Sequence, residues 1–156
     1  MQKILIYGYG NPGRQDDGLG PRFIELCDAW IREQNLTHMF TDTNYQLNIE
    51  DAAEIAGYDT VVFVDASVVE DLENFKLETV EPDDARIEFT MHAVSVSYVV
   101  DLCQKIYNKS PKACVLHIRG YEYDFKEELT PKAAENMHAA FAYLKDFFKQ
   151  VRRNDS

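Results

Sequence analysis

The chain has 156 residues, of which 46% are hydrophobic, a composition typical of one soluble globular domain. Its formal net charge of −11 disfavours nucleic acid and anionic membrane surfaces as partners, because both would repel it. No apolar run reaches the roughly 20 residues that a membrane-spanning helix needs, and the first residues lack the pattern of a secretory signal. Three widely spaced cysteines, Cys27, Cys103 and Cys114, form no CxxC pair and are expected to be reduced, buried thiols. We therefore expect a cytoplasmic protein with a single domain, 1-156.

Short apolar runs alternate with helical patterns along the whole chain. Strands are predicted at 3–9, 39–43, 60–64, 75–80, 87–90 and 113–118. Helices are predicted at 19–34 and 96–107, from Asn48 as the N-cap to about 57, and from Pro131 onward with Thr130 as the N-cap. The strand at 60–64 is apolar on both faces, as in the centre of a parallel sheet. This order predicts an α/β fold, a three-layer αβα sandwich with a twisted, mostly parallel sheet of about five strands flanked by helices.

The glycine-rich stretch at 7–20 follows the first strand and carries two adjacent acids. Its segment Gly8 to Gly13 fits the G-x-G-x-x-G pattern of dinucleotide-binding loops. In those loops the helix opens within the glycines and its N-terminus meets the phosphates. Here Pro12 interrupts the pattern and the helix begins only near Leu19, while the acids at 16 and 17 would repel phosphate. Nucleotide binding is therefore disfavoured.

Ionisable side chains follow the predicted strand ends. Asp16 and Asp17 come after the first strand, Asp65 after the central strand, and His92 before the helix at 96–107. Such ends meet at one edge of an open α/β sheet, where two carboxylates and an imidazole could bind a divalent metal. A metal there could polarise a carbonyl or lower the pKa of a bound water. Structural roles remain open: Asp17 as a turn residue, Asp65 as a loop cap, and His92 as a surface or capping residue.

Four sequence features carry a resemblance to a known family. They are a strand leading into G-x-G-N and then D-D-G-x-G between Ile4 and Gly20, a strand ending in Asp65-Ala66, His92 three residues before Ser95, and Leu129-Thr130-Pro131 at a helix start. Together they resemble the hydrogenase maturation proteases, which trim the C-terminus of the large subunit of nickel–iron hydrogenases. One departure is the lack of glycine at 67–72, where family members often carry it.

The resemblance implies an aspartic-type endopeptidase that acts on a nickel–iron hydrogenase large-subunit precursor after nickel insertion. We expect a monomer, because a substrate groove needs no second chain. The residues that it implies are Asp17, Asp65 and His92 as metal-contacting and catalytic groups, and Gly10, Asn11, Asp16 and Gly18 in the loop that meets the substrate. The metal would be nickel carried by the substrate, or another divalent metal in its place. A non-catalytic, nickel-dependent binding or chaperone protein on the same fold remains the alternative.

Overall fold

A computed structural model describes residues 2–81 and 95–154, with side chains described as far as 151. One five-stranded sheet forms the centre, in the spatial order β2-β1-β3-β5-β4. Its strands are β1 (Ile4–Tyr9), β2 (Met39–Asn44), β3 (Thr60–Ser67), β4 (Phe75–Val80) and β5 (Lys112–Arg119). The first four in the spatial order are parallel to one another, and the edge strand β4 runs antiparallel to β5.

Helices cover both faces of this sheet, so the predicted three-layer fold is confirmed. The helices are α1 (Leu19–Gln34), α2 (Asp51–Ile55), α3 (Val96–Tyr107) and α4 (Pro131–Asn154), and a short 3-10 helix, Gln15–Gly18, precedes α1. Helices α1 and α4 pack on one face, and α2 and α3 on the other. In the described parts of the chain, no helix is both long enough and apolar enough to cross a membrane.

Each face of the sheet has its own hydrophobic core, because successive side chains of a strand point to opposite faces. Ile6, Val62 and Leu116 face α1 and α4, and Leu5 and Phe63 face α2 and α3. This double burial explains why the central strands are apolar without alternation. All three cysteines are free and buried, as predicted.

The end of β3 differs from the sequence prediction by three residues, the other boundaries differ by at most two, and one predicted strand is not covered. Strand β3 continues to Ser67 because its last residues pair with β5, so Asp65 lies within the strand instead of after it. Helix α2 begins at Asp51, so Glu50 and not Asn48 occupies the N-cap position. The Asn48 backbone N–H donates to the Asp51 carboxylate over 2.7 Å, which caps a turn that precedes the helix. The predicted strand at 87–90 falls outside the described residues.

Candidate functional site

Two glycines hold the loop after β1 against the sheet. Gly10 has a φ of +142°, and a Cβ on it would lie 2.0 Å from the carbonyl oxygen of Asp17, so a side chain is excluded there. A Cβ on Gly20 would lie 2.5 Å from the carbonyl oxygen of Tyr9 and 2.8 Å from that of Val64. Helix α1 therefore begins in contact with both β1 and β3, which fixes the preceding acids at this edge of the sheet.

Asp17 is partly buried and closes the loop on itself. Its Oδ2 accepts a hydrogen bond of 2.8 Å from the backbone N–H of Asn11, and the Asn11 side chain accepts one of 2.9 Å from the Gly13 N–H. A Cβ on Gly18 would lie 2.8 Å from Cα of Pro12, so the loop closes tightly on that side as well. Three of the residues predicted for the substrate loop, Gly10, Asn11 and Gly18, thus form the frame that holds the Asp17 carboxylate.

Asp16, in contrast, is completely buried and contacts the chain itself. Its Oδ2 accepts hydrogen bonds from the backbone N–H groups of Tyr121 and Glu122 and from the Thr130 hydroxyl, at 2.8, 3.1 and 2.8 Å. Its Oδ1 accepts a fourth, of 2.8 Å, from the Thr130 N–H at the start of α4. The Asp16 carboxylate therefore ties the 3-10 helix to the segment 120–130 and to the N-terminus of α4, where the helix dipole favours a negative charge.

Asp65 projects from β3 between two aromatic side chains. Its Oδ2 accepts a hydrogen bond of 3.1 Å from the Tyr9 hydroxyl, and its Oδ1 lies 3.2 Å from Nδ1 of His117. Burial and the charge of Asp65 raise the pKa of Tyr9 well above its ordinary value, so the hydroxyl keeps its proton and acts as the donor. One carboxylate oxygen is thereby fixed by a hydrogen bond.

His117 is the site residue that the sequence did not single out. It stands on β5 directly opposite Asp65 in the strand pairing, and its Nε2 lies 3.7 Å from a carboxylate oxygen of Glu78 on β4. The contact with Asp65 raises the pKa of His117, with a smaller contribution from Glu78, while burial and Lys76 act in the opposite direction. The sequence feature that could have indicated this site residue was a histidine within the otherwise apolar run at 113–118.

Among the buried polar atoms of the described side chains, the hydroxyl of Tyr123 has no hydrogen-bond partner, and Oδ1 of Asp65 has only the 3.2 Å contact with Nδ1 of His117. Burial, together with the nearby charges of Asp16, Asp17 and Asp65, raises the pKa of Tyr123 to about 12. The phenol of Tyr123 therefore remains protonated. Because buried polar groups are normally paired, the Tyr123 hydroxyl is a donor that a bound ligand would engage.

The predicted metal ligands are only partly described. Within 2–81 and 95–154, no group of three or more His, Cys, Asp or Glu side chains is placed to hold a metal ion. Asp17 and Asp65 lie at the same edge of the sheet, and His92 falls outside the described residues. A carboxylate such as that of Asp65 is a ligand for a hard or borderline cation, and in this structure its Oδ2 is engaged by Tyr9 and its Oδ1 contacts His117. Metal contact by the three residues remains a prediction.

Neither a protein-family model nor a curated protein matches the chain by sequence. Solved structures do match it in fold. An endopeptidase from Escherichia coli superposes with a TM-score of 0.73 and 16% identity over 99% of both chains. The [NiFe] hydrogenase maturation protease HycI from Thermococcus kodakarensis gives a TM-score of 0.71 and 19% identity over 95% of this chain and 93% of that one. The hydrogenase maturating endopeptidase HybD from Escherichia coli gives 0.68 and 16% over 99% of both. The resemblance indicated by the motifs is therefore confirmed in the fold of the chain.

Proposed function

We propose that this protein is an endopeptidase that removes the C-terminal extension of a nickel–iron hydrogenase large-subunit precursor after nickel insertion. The observation that carries the proposal is the likeness in fold, over at least 93% of both chains, to structures named as hydrogenase maturation proteases. The motifs that contain Asp17, Asp65 and His92 support it, because they match the family pattern at the same three places. We expect this protein in the cytoplasm, so the precursor would also have to be present there.

The geometry supports different roles for the carboxylates of Asp65 and Asp17. The Asp65 side chain is oriented by Tyr9 and His117, and its Oδ1 keeps a lone pair beside the His117 contact, so it suits the binding of a water molecule. In the proposed reaction that water attacks the carbonyl carbon of the scissile bond while Oδ1 accepts its proton. The C–N bond then breaks, and the proton passes to the leaving amine.

Asp17 and His92 are assigned to the nickel that the precursor carries. Contact with a metal held in the substrate would place the scissile bond at Asp65 and would restrict cleavage to precursors that have received their metal. Positioning of this kind can supply a large part of a rate enhancement, because the reacting groups no longer have to find each other. Nickel is here part of the substrate, and the protease supplies ligands and a base.

The test is a cleavage assay with a nickel-loaded precursor, followed by electrophoresis and mass spectrometry. We expect the unaltered protein to release a C-terminal fragment, and Asp65→Asn, Asp17→Asn and His92→Ala to lose most of that activity. Asp71→Asn is the matched control, because Asp71 is an exposed acid that follows β3 on the surface. Its activity should equal that of the unaltered protein.

Two results would contradict the proposal. Equal activity in Asp65→Asn and Asp71→Asn would refute the site. Nickel-dependent binding of the precursor without any fragment release by the unaltered protein would favour the binding or chaperone protein instead.

A further inference from the structure

The hydroxyl of Tyr123 is the one buried donor among the described side chains that has no partner. The hydroxyl packs closely against Gly120: a Cβ on Gly120 would lie 2.7 Å from the hydroxyl oxygen and 2.9 Å from Cβ of Asp16. Glycine at 120 therefore keeps open the space that this hydroxyl occupies beside Asp16. A buried polar group without a partner is rare, and at a functional site it indicates a missing ligand.

The segment that carries Tyr123 is held firmly in place. Asp16 accepts the backbone N–H groups of Tyr121 and Glu122, and the Gln15 side chain accepts that of Asp124 over 3.3 Å. The Gln15 N–H in turn donates to the carbonyl oxygen of Lys126 over 2.7 Å. These contacts bracket Tyr123 on both sides, so its position is set by the same 3-10 helix that carries Asp17.

The hydroxyl of Tyr121, two residues earlier, differs from that of Tyr123 because it is hydrogen-bonded within the chain. Its hydroxyl accepts a hydrogen bond of 2.9 Å from the side-chain amide of Asn136 and donates one of 3.4 Å to the carbonyl oxygen of Glu73. Both tyrosines belong to the same segment, yet only the hydroxyl of Tyr121 is satisfied within the chain. A structural role accounts for Tyr121 and leaves Tyr123 unexplained.

The Tyr123 hydroxyl and Oδ1 of Asp65 have complementary hydrogen-bonding capacity, since a carboxylate oxygen in contact with one donor still has a second lone pair. The Tyr123 hydroxyl can donate a hydrogen bond, and Oδ1 of Asp65 can accept one. A peptide carbonyl offers an acceptor for the first, and the water that attacks it offers a donor for the second. A metal ion alone would satisfy the carboxylate but would leave the phenol without a partner.

We propose that the Tyr123 hydroxyl donates a hydrogen bond to the carbonyl oxygen of the scissile peptide bond, an inference that rests on the proposed function. As water attacks, this oxygen gains negative charge, so a donor already in place stabilises the transition state more than the bound substrate. The phenol keeps its proton throughout, and no bond to it is made or broken. Tyr123 would then be a catalytic residue that the sequence motifs did not indicate.

The experiment compares Tyr123→Phe with Tyr121→Phe, two changes that each remove one oxygen atom from neighbouring tyrosines. With nickel-loaded precursor we expect kcat of Tyr123→Phe to fall by about 100-fold, with KM changed by less than about threefold. We expect Tyr121→Phe to keep kcat within about twofold. Urea unfolding supplies a readout without substrate: the midpoint should be unchanged or higher in Tyr123→Phe, and lower in Tyr121→Phe.

Each outcome decides between the alternatives. A kcat of Tyr123→Phe within about twofold of an active unaltered protein overturns the inference and leaves the proposed function standing. A midpoint that falls in Tyr123→Phe as far as in Tyr121→Phe also overturns it, because the hydroxyl would then have a partner inside the chain. Absence of cleavage by the unaltered protein refutes the proposed function, and this inference falls with it.

Discussion

Replacing Asp16 by asparagine tests the claim that this buried carboxylate anchors the site. Asparagine has nearly the same shape but only one oxygen that accepts hydrogen bonds. Oδ2 accepts three hydrogen bonds in the structure and Oδ1 accepts one, from the Thr130 N–H. The least costly orientation therefore keeps the amide oxygen at the Oδ2 position and turns the amide nitrogen toward the Thr130 N–H.

The expected loss follows from this arrangement. One hydrogen bond to a charged acceptor is removed, which costs about 1.5–3 kcal/mol, and a backbone N–H is left facing another donor. The three remaining bonds lose the assistance of the charge, and the negative charge at the N-terminus of α4 disappears. Asparagine is neutral, so the free-energy penalty for burying the Asp16 charge disappears, and this offsets part of the loss. We expect the free energy of unfolding to fall by about 2–4 kcal/mol, a large share of the 5–15 kcal/mol typical of a domain.

The assay is urea unfolding followed by circular dichroism, with Asp17→Asn as the matched control. The Asp17 carboxylate accepts a single backbone N–H, that of Asn11, and it is partly exposed, so the same chemical change should cost less than about 1 kcal/mol there. A free energy of unfolding for Asp16→Asn within 0.5 kcal/mol (roughly the error of such measurements) of the unaltered protein would refute the anchoring role. Equal losses in the two variants would refute the distinction between the two acids.

Three further predictions concern stability. His117→Gln should lower the free energy of unfolding more at pH 5.5 than at pH 9. The pKa of His117 is raised in the folded state, so this residue contributes stability below about pH 6.5 that is lost as the pH rises through the folded pKa. Equal losses at the two pH values would contradict this prediction. Burial and the neighbouring Asp42 raise the pKa of Glu54 to about 8, so the folded state is penalised progressively as pH rises from 4.5 to 8. Glu54→Gln should therefore raise stability at pH 8.5 and have little effect at pH 4.5, measured by urea unfolding. Gly10→Ala should lower the free energy of unfolding by at least about 2 kcal/mol, because the new Cβ would lie 2.0 Å from the Asp17 carbonyl oxygen. Gly57→Ala should lower it by less than about 1 kcal/mol in the same assay, because the nearest atom to its Cβ, the Glu54 carbonyl oxygen, lies at 3.5 Å.

The fold was accessible from the sequence because its signals are local. Apolar runs such as 60–64 mark buried strands, helical spacing marks 19–34, and Thr130-Pro131 marks the start of α4, where the Thr130 hydroxyl accepts the N–H of Ala133. The end of β3 was misplaced since strand length beyond the apolar run depends on pairing with β5, a contact between residues about 50 positions apart. Hydrophobic pattern does not encode that contact.

The candidate site could be predicted from the sequence only in part. The loop glycines and acids stand in one short segment, so the sequence predicts them together. The roles of Asp16 and Asp17 could not be separated by residue type, because the difference lies in which way each side chain points: one toward the backbone of 120–130, the other toward Asn11. His117 and Tyr123 enter the site through strand register and loop folding, and neither belongs to the motifs that carried the resemblance.

The central claim is hydrolysis of a peptide bond in a nickel-loaded precursor, and mass spectrometry in water enriched in oxygen-18 tests it most directly. We predict that the large-subunit precursor loses a single C-terminal fragment and that the new C-terminal carboxylate carries the heavy oxygen. The nickel-free precursor should keep its full length under the same conditions. A nickel-loaded precursor that also keeps its full length in the presence of the unaltered protein would contradict the account.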